Sequence, residues 1–116
     1  MIVYLDNSST TKPYREAVDR AGLYMTEDYG NPSALHGLGL NAEKAVKEAR
    51  AAVAKGLGVS PGEIYFTSGG TEADNMAIIR GAQSKRRAGN RIITTKTEHP
   101  AVLEPCAYME KQGFEV

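Results

Sequence analysis

A chain of 116 residues with 41% hydrophobic and 24% charged content is enough for about one small globular domain and excludes a disordered composition. Fourteen basic residues balance fourteen acidic ones, so the charge gives no pointer to nucleic acid or to a membrane surface, and a small anionic ligand remains open. The single cysteine, Cys106, excludes an internal disulfide and fits a reducing compartment, with the cytoplasm as the default; the Cys/His spacing of a zinc site is missing.

The opening Met1-Ile2-Val3-Tyr4-Leu5-Asp6 has no basic n-region and too short an apolar run for a signal peptide, and no stretch approaches membrane-spanning length. Ile2 to Leu5 reads as a short strand. The polar segment Asp6 to Thr11 follows, with Thr11 as N-cap and Pro13 in the first turn of a helix. Ala17, Val18, Ala21, Tyr24 and Met25 share one face of that helix, and Gly30-Asn31-Pro32 ends it. An irregular loop to Gly39 carries His36. From Asn41, the positions Ala42, Ala45, Val46, Ala49, Val53 and Leu57 form an apolar stripe, the clearest helix in the chain, ending near Gly56 or Gly58. Ser60-Pro61-Gly62-Glu63 has capping-box spacing but runs at once into Ile64, which predicts a single turn.

Ile64 to Thr67 is a β-branched and aromatic run, after which Ala73, Met76, Ala77 and Arg80 recur at helical spacing. The basic run Lys85-Arg86-Arg87 reads as a solvated helix end, with a phosphate or partner patch as the lesser alternative. Arg91 to Thr95 predicts a second strand, Leu103, Cys106, Ala107 and Met109 a helix starting near Ala101 and capped by Gly113, and Phe114 to Val116 a third strand. Strand and helix alternate from residue 64. This pattern predicts an α/β parallel sheet whose ligand sites lie beyond the carboxyl ends of the strands.

The junction Thr67-Ser68-Gly69-Gly70-Thr71 falls at such an end. The first N–H groups of a helix lack intrahelical partners and favour a bound anion; Gly69 and Gly70 permit close approach, and Ser68 and Thr71 offer hydroxyls. The competing reading is a glycine-rich turn with Thr71 as N-cap, in which Glu72 and Asp74 offset the helix dipole with no ligand. It is neither a Walker loop nor a GxGxxG dinucleotide fingerprint. His99, between strand and helix, reads first as a polar loop residue, with an acid–base group or a ring-stacking group as the alternatives. Cys106 shares an apolar helical face with Leu103 and reads as core.

Four segments, in order and spacing, resemble the amino-terminal part of cysteine desulfurases of the class V aminotransferase family, the NifS/IscS type of iron–sulfur assembly and nitrogen fixation. They are Tyr4 to Thr11, Asn31-Pro32-Ser33 with His36, Phe66 to Asn75, and Thr97-Glu98-His99 with Ala101-Val102-Leu103. The resemblance implies an incomplete piece of the large domain of the transferases that use pyridoxal 5′-phosphate (PLP), the aspartate aminotransferase-like fold type I. Residues 1–30 would be a leading strand, loop and helix, and residues 31–116 part of the PLP-binding domain. It implies that Gly70 and Thr71 hold the cofactor phosphate and that His99 stacks on the pyridine ring and is a candidate for proton transfer. L-Cysteine is the implied substrate, L-alanine and an enzyme-bound persulfide the products, and a homodimer with a sulfur-acceptor or iron–sulfur scaffold protein the implied assembly; neither nucleic acid nor membrane is expected.

Gly70 stands where alanine is common in the family, and Asn7 and Pro100 also depart from the pattern. The Schiff-base lysine, the partner of the pyridine nitrogen, the substrate-binding arginine and the persulfide cysteine that the resemblance implies have no counterpart here. The expectation is therefore a truncated enzyme, inactive alone and prone to associate. The alternatives are another class V aminotransferase or lyase, or a short non-catalytic binding or assembly module.

Overall fold

The computed structural model describes residues 2–116 and divides into two compact units, Met1–Ile64 and Tyr65–Val116. In the first, the polar segment after Leu5 closes as a turn, in which Ser9 and Thr10 donate backbone bonds to the Asp6 carbonyl and the Tyr4 and Thr10 hydroxyls meet at 2.6 Å. Helix α1 runs Arg15–Thr26. Thr11 is not its cap. Tyr14 takes that place in extended conformation with no side-chain cap bond, so Pro13 lies outside the helix. The expected apolar face is poorly covered, with Val18 half-exposed and Met25 four-fifths exposed, and the next helix lines the groove beside it with Ala45, Glu48 and Ala49.

Helix α2, Gly37–Leu57, is four residues longer at its start than the apolar stripe indicates. His36 explains the extension: its Nδ1 accepts from the Gly39 N–H at 3.3 Å, so the loop histidine is an N-cap. Gly39 is buried, and a Cβ there would collide with the carbonyl of Ala34. The covered face follows Ala42, Val46, Arg50 and Ala54, in steps of four; Val53 and Leu57, expected on the apolar stripe, are exposed. At the other end Gly58 adopts φ +69°, and the Val59 N–H closes back onto the Ala54 carbonyl. The turn Pro61–Glu63 is a single 3₁₀ turn, in which Glu63 Oε2 accepts from both the N–H and the hydroxyl of Ser60 at 2.8 Å.

In the second unit one helical run spans three parts: α3 Gly70–Asn75, a π-helical turn Met76–Arg80 and α4 Gly81–Lys85. The π turn shifts the register. Ala73, Met76, Ala77 and Arg80, which recur at helical spacing in the sequence, are exposed, while Asp74, Asn75, Ile78, Ile79 and Ala82 are half-buried. Arg86 belongs to the structure of this unit: its guanidinium lies 5.2 Å from the centroid of the Phe114 ring and donates from Nη2 to the Gln112 carbonyl at 3.2 Å. Helix α5, Pro100–Lys111, packs against α3 and the π turn. Ala101, Pro105, Cys106 and Met109 are buried, with Phe114, in the core of this unit. Gly113, at φ +86°, ends α5, with the Phe114 N–H on the Met109 carbonyl and the Gly113 N–H on that of Glu110.

The expected strands are not realised as ladders. Residues 2–5 and 64–67 form none, and of the segments 91–95 and 114–116 only Arg91 and Glu115 pair, in a parallel bridge. That bridge carries two backbone bonds of 2.8 Å, Ile92 N–H to the Glu115 carbonyl and Glu115 N–H to that of Asn90, beside an Arg91–Glu115 ion pair at 2.9 Å. The cause is a shortage of neighbours, since a strand is stable only beside another strand. The parallel relation of the last two segments across α5 nonetheless agrees with the α/β expectation.

Candidate functional site

The junction before α3 combines extended backbone with an abrupt helix start. Gly69, at φ 169° and ψ 178°, is the N-cap, so Thr71 sits inside the first turn and is not the capping residue. The first α-type bond is donated by the Ala73 N–H to the Gly69 carbonyl at 3.1 Å. The N–H groups of Gly70, Thr71 and Glu72 precede that bond and point out of the helix end, where the partial positive charge of the aligned peptides is concentrated. Thr71 is exposed, and its hydroxyl makes no hydrogen bond among the described residues. A Cβ placed at Gly69 or Gly70 would meet nothing within 4 Å, so the approach to these amides is open.

Ser68 differs from the expectation that it offers a hydroxyl to a ligand. Its N–H and hydroxyl both donate to Glu72 Oε2, at 2.6 and 2.7 Å. These two bonds, the backbone one first, hold the Glu72 carboxyl below the usual glutamate range. Glu72 thus takes up Ser68 and leaves Gly70 and Thr71 uncommitted. The Thr67 hydroxyl donates to the Gly69 carbonyl at 3.1 Å, and Asn75 Nδ2 to the Thr71 carbonyl at 2.8 Å, so the glycine pair is tied on both sides.

His99 is the N-cap of α5, which packs on α3. Pro100, at the first helical position, has no N–H to offer, so the first available donor is the Ala101 amide, and it donates to His99 Nδ1 at 3.1 Å. The preceding turn is pinned by Thr95, whose hydroxyl lies 3.1 Å from both the Thr97 hydroxyl and Glu98 Oε1. The capping role of His99 was not legible from its residue type; Pro100 followed by an apolar helical run was the available signal. Asn31-Pro32-Ser33 belongs to the first unit, where Asn31 Oδ1 accepts from the Ser33 N–H at 2.9 Å and folds the loop that leads to His36.

The donor set at α3 suits a dianionic phosphate ester. It offers adjacent backbone amides and one hydroxyl, no opposing carboxylate on those groups, and an unobstructed glycine pair. PLP fits this chemistry through its phosphate: Gly70 and Thr71 would hold it by their amides, and Thr71 also by its hydroxyl. Among the described residues no group of three or more His, Cys, Asp or Glu is placed to hold a metal ion, and no helix is long and apolar enough to cross a membrane.

The chain is 50% identical over 114 residues to a cysteine desulfurase IscS of Methanosarcina thermophila, covering 98% of this chain and 28% of that protein. Among solved structures, a NifS-like protein superposes with a TM-score of 0.89 at 42% identity, covering 100% of this chain and 32% of that one. SspA in complex with cysteine superposes at 0.81 with 33% identity, covering 94% of this chain and 31% of that one. The chain therefore spans about a third or less of the length of these relatives, and its fold is a partial piece of theirs. The aminotransferase class-V family matches over residues 3–116, nearly the whole sequence, and the chain belongs to that family.

Proposed function

We propose that this chain is the cofactor-phosphate portion of a PLP-dependent cysteine desulfurase. The observation that carries the reading is the pair Gly70 and Thr71, whose amides precede the first bond of α3 and whose one hydroxyl is uncommitted, in a sequence half identical to a cysteine desulfurase. The amides and the Thr71 hydroxyl bind the phosphate by charge-assisted hydrogen bonds, and the helix dipole adds to them. Glu72, turned back onto Ser68, keeps its own charge directed at Ser68. His99, held by its cap bond to Ala101, would stack on the pyridine ring. The bound cofactor supplies an electron sink for the bonds around the substrate's α-carbon.

The complete protein would convert L-cysteine to L-alanine and leave sulfur as an enzyme persulfide for iron–sulfur cluster assembly. In that reading it is a cytoplasmic homodimer that hands sulfur to an acceptor or scaffold protein. Residues 1–30 would form the leading strand, loop and helix and residues 31–116 part of the cofactor domain. Cysteine as the substrate draws support from the names of the relatives, one of which is a complex with cysteine.

The test is a PLP titration of the complete enzyme and of its Thr71→Ala variant, followed by absorbance. Loss of a hydrogen bond to a charged partner, about 1.5–3 kcal/mol, weakens binding by roughly ten-fold or more. Equal affinity of the two proteins would return Thr71 to an ordinary first-turn residue.

A further inference from the structure

Resting on the cofactor reading, we propose that Glu72 is a positioning residue of the phosphate loop, a tether that crosses the glycine pair and holds its amides in binding geometry without itself entering the anion site. The observation is its reach back to Ser68, whose N–H and hydroxyl both donate to Glu72 Oε2, at 2.6 and 2.7 Å. Both bonds are charge-assisted, and both are shorter than the other side-chain ties of this loop, at 3.1 Å from Thr67 and 2.8 Å from Asn75.

Gly69 and Gly70 are the part of the loop with the most freedom to lose. Both are exposed, and a Cβ on either would meet nothing within 4 Å, so no packing holds them. Glycine loses more backbone entropy on ordering than any other residue, and a loop ordered only as its ligand arrives weakens binding by that cost. Thr67 holds the Gly69 carbonyl on one side of the pair and Asn75 holds the Thr71 carbonyl on the other, whereas the bonds between Ser68 and Glu72 span it.

The spacing explains how an acidic residue can serve an anion site. In Ser60-Pro61-Gly62-Glu63 the carboxylate stands three residues after the serine and closes back onto the N-cap itself, a capping box. Ser68 and Glu72 are one residue further apart, and the N-cap between them is Gly69, which has no side-chain cap bond. Glu72 therefore accepts from the residue before the cap, and the Gly70 and Thr71 amides have no carboxylate partner among the described residues. The same serine–glutamate chemistry closes one turn and, lengthened by a residue, leaves the other open to a ligand.

The test compares the binding of PLP with that of pyridoxal, which has the ring and lacks the phosphate, in the complete enzyme and its variants, followed by absorbance. Loss of the tether in Glu72→Ala should weaken PLP binding by roughly ten-fold and leave pyridoxal binding unchanged, because the ordering cost falls on the phosphate loop alone. Glu72→Gln keeps an acceptor for Ser68 and should recover most of the loss. Ser68→Ala, which removes one of the two bonds from the other side, should give a smaller loss, again for PLP only, and should add little to Glu72→Ala because both act through one contact. Equal losses for PLP and pyridoxal would mean general destabilisation and overturn the proposal, as would a Glu72→Gln enzyme as weak as Glu72→Ala. Should Glu72→Ala fail to fold, Ser68→Ala decides, and its binding PLP as tightly as the parent overturns the proposal. Thr71→Ala separates this inference from the reading it rests on. Weaker PLP binding in Thr71→Ala with none in Glu72→Ala defeats the tether alone, whereas unchanged binding in Thr71→Ala defeats the cofactor reading and the tether with it.

Discussion

At the scale of single residues, Gly70 and Gly39 show how different two glycines can be. A methyl group at Gly70 projects into open space, whereas one at Gly39 strikes the Ala34 carbonyl. Gly70→Ala should stabilise the chain by about 0.5 kcal/mol, because it restricts the unfolded chain without strain in the helix. Gly39→Ala should destabilise it by about 2 kcal/mol, the usual scale of overpacking. Urea unfolding of both variants checks the opposite signs. Glu72 makes a prediction of its own. Its carboxyl is depressed by Ser68, so the contribution of this turn is complete above the unfolded value of about 4.3 and is lost as pH falls through the lower folded value. The Ser68 amide resonance should move in that acidic window, with Ser60, donor to the similarly depressed Glu63, moving in the same direction. A Ser68 amide that stays fixed down to pH 2 would mean that the bond to Glu72 is not made.

At the scale of elements, the helix ends matter more than the helix interiors. His99→Ala removes the Ala101 acceptor and should cost about 1 kcal/mol, whereas His99→Asn restores an N-cap oxygen and should recover most of it. Thermal unfolding of the pair measures the difference; equal losses would point to the ring's packing and not to its Nδ1. The existence of α1, α2 and α5 was legible because apolar residues recur at helical spacing, and Ser60 with Glu63 announced their turn. Two features were not. The π turn of Met76–Arg80 leaves Ala73 and Ala77 exposed and Asn75, Ile78 and Ile79 half-buried, and a search at period 3.6 has no means of detecting an inserted residue. The histidine caps escaped because His36 and His99 lie outside the usual Ser, Thr, Asp and Asn set.

At the scale of the whole molecule, the strands expose the limit of local sequence. Ile64 to Thr67 and Arg91 to Thr95 have strand composition, yet pairing depends on neighbours that composition does not contain, and only Arg91 and Glu115 find each other. Ile93 is consequently 90% exposed, and Ile2 and Leu35 are also uncovered. The glycine-rich junction before α3 is a local arrangement, so the helix start at Gly70 and Thr71 was legible as such, whereas the diversion of Ser68 to Glu72 required coordinates. The choice of phosphate over an unliganded turn was not legible from physics alone and rests on the relatives and on the uncommitted donors together.

The most direct measurement of that choice is a titration of the ¹⁵N-labelled chain with inorganic phosphate at constant pH and ionic strength. Binding at the start of α3 predicts saturable shifts of the Gly70, Thr71 and Glu72 amides with the Lys85 end of the run unmoved. Uniform small shifts across the exposed amides, with no saturation at Gly70 and Thr71, would contradict the cofactor-phosphate site.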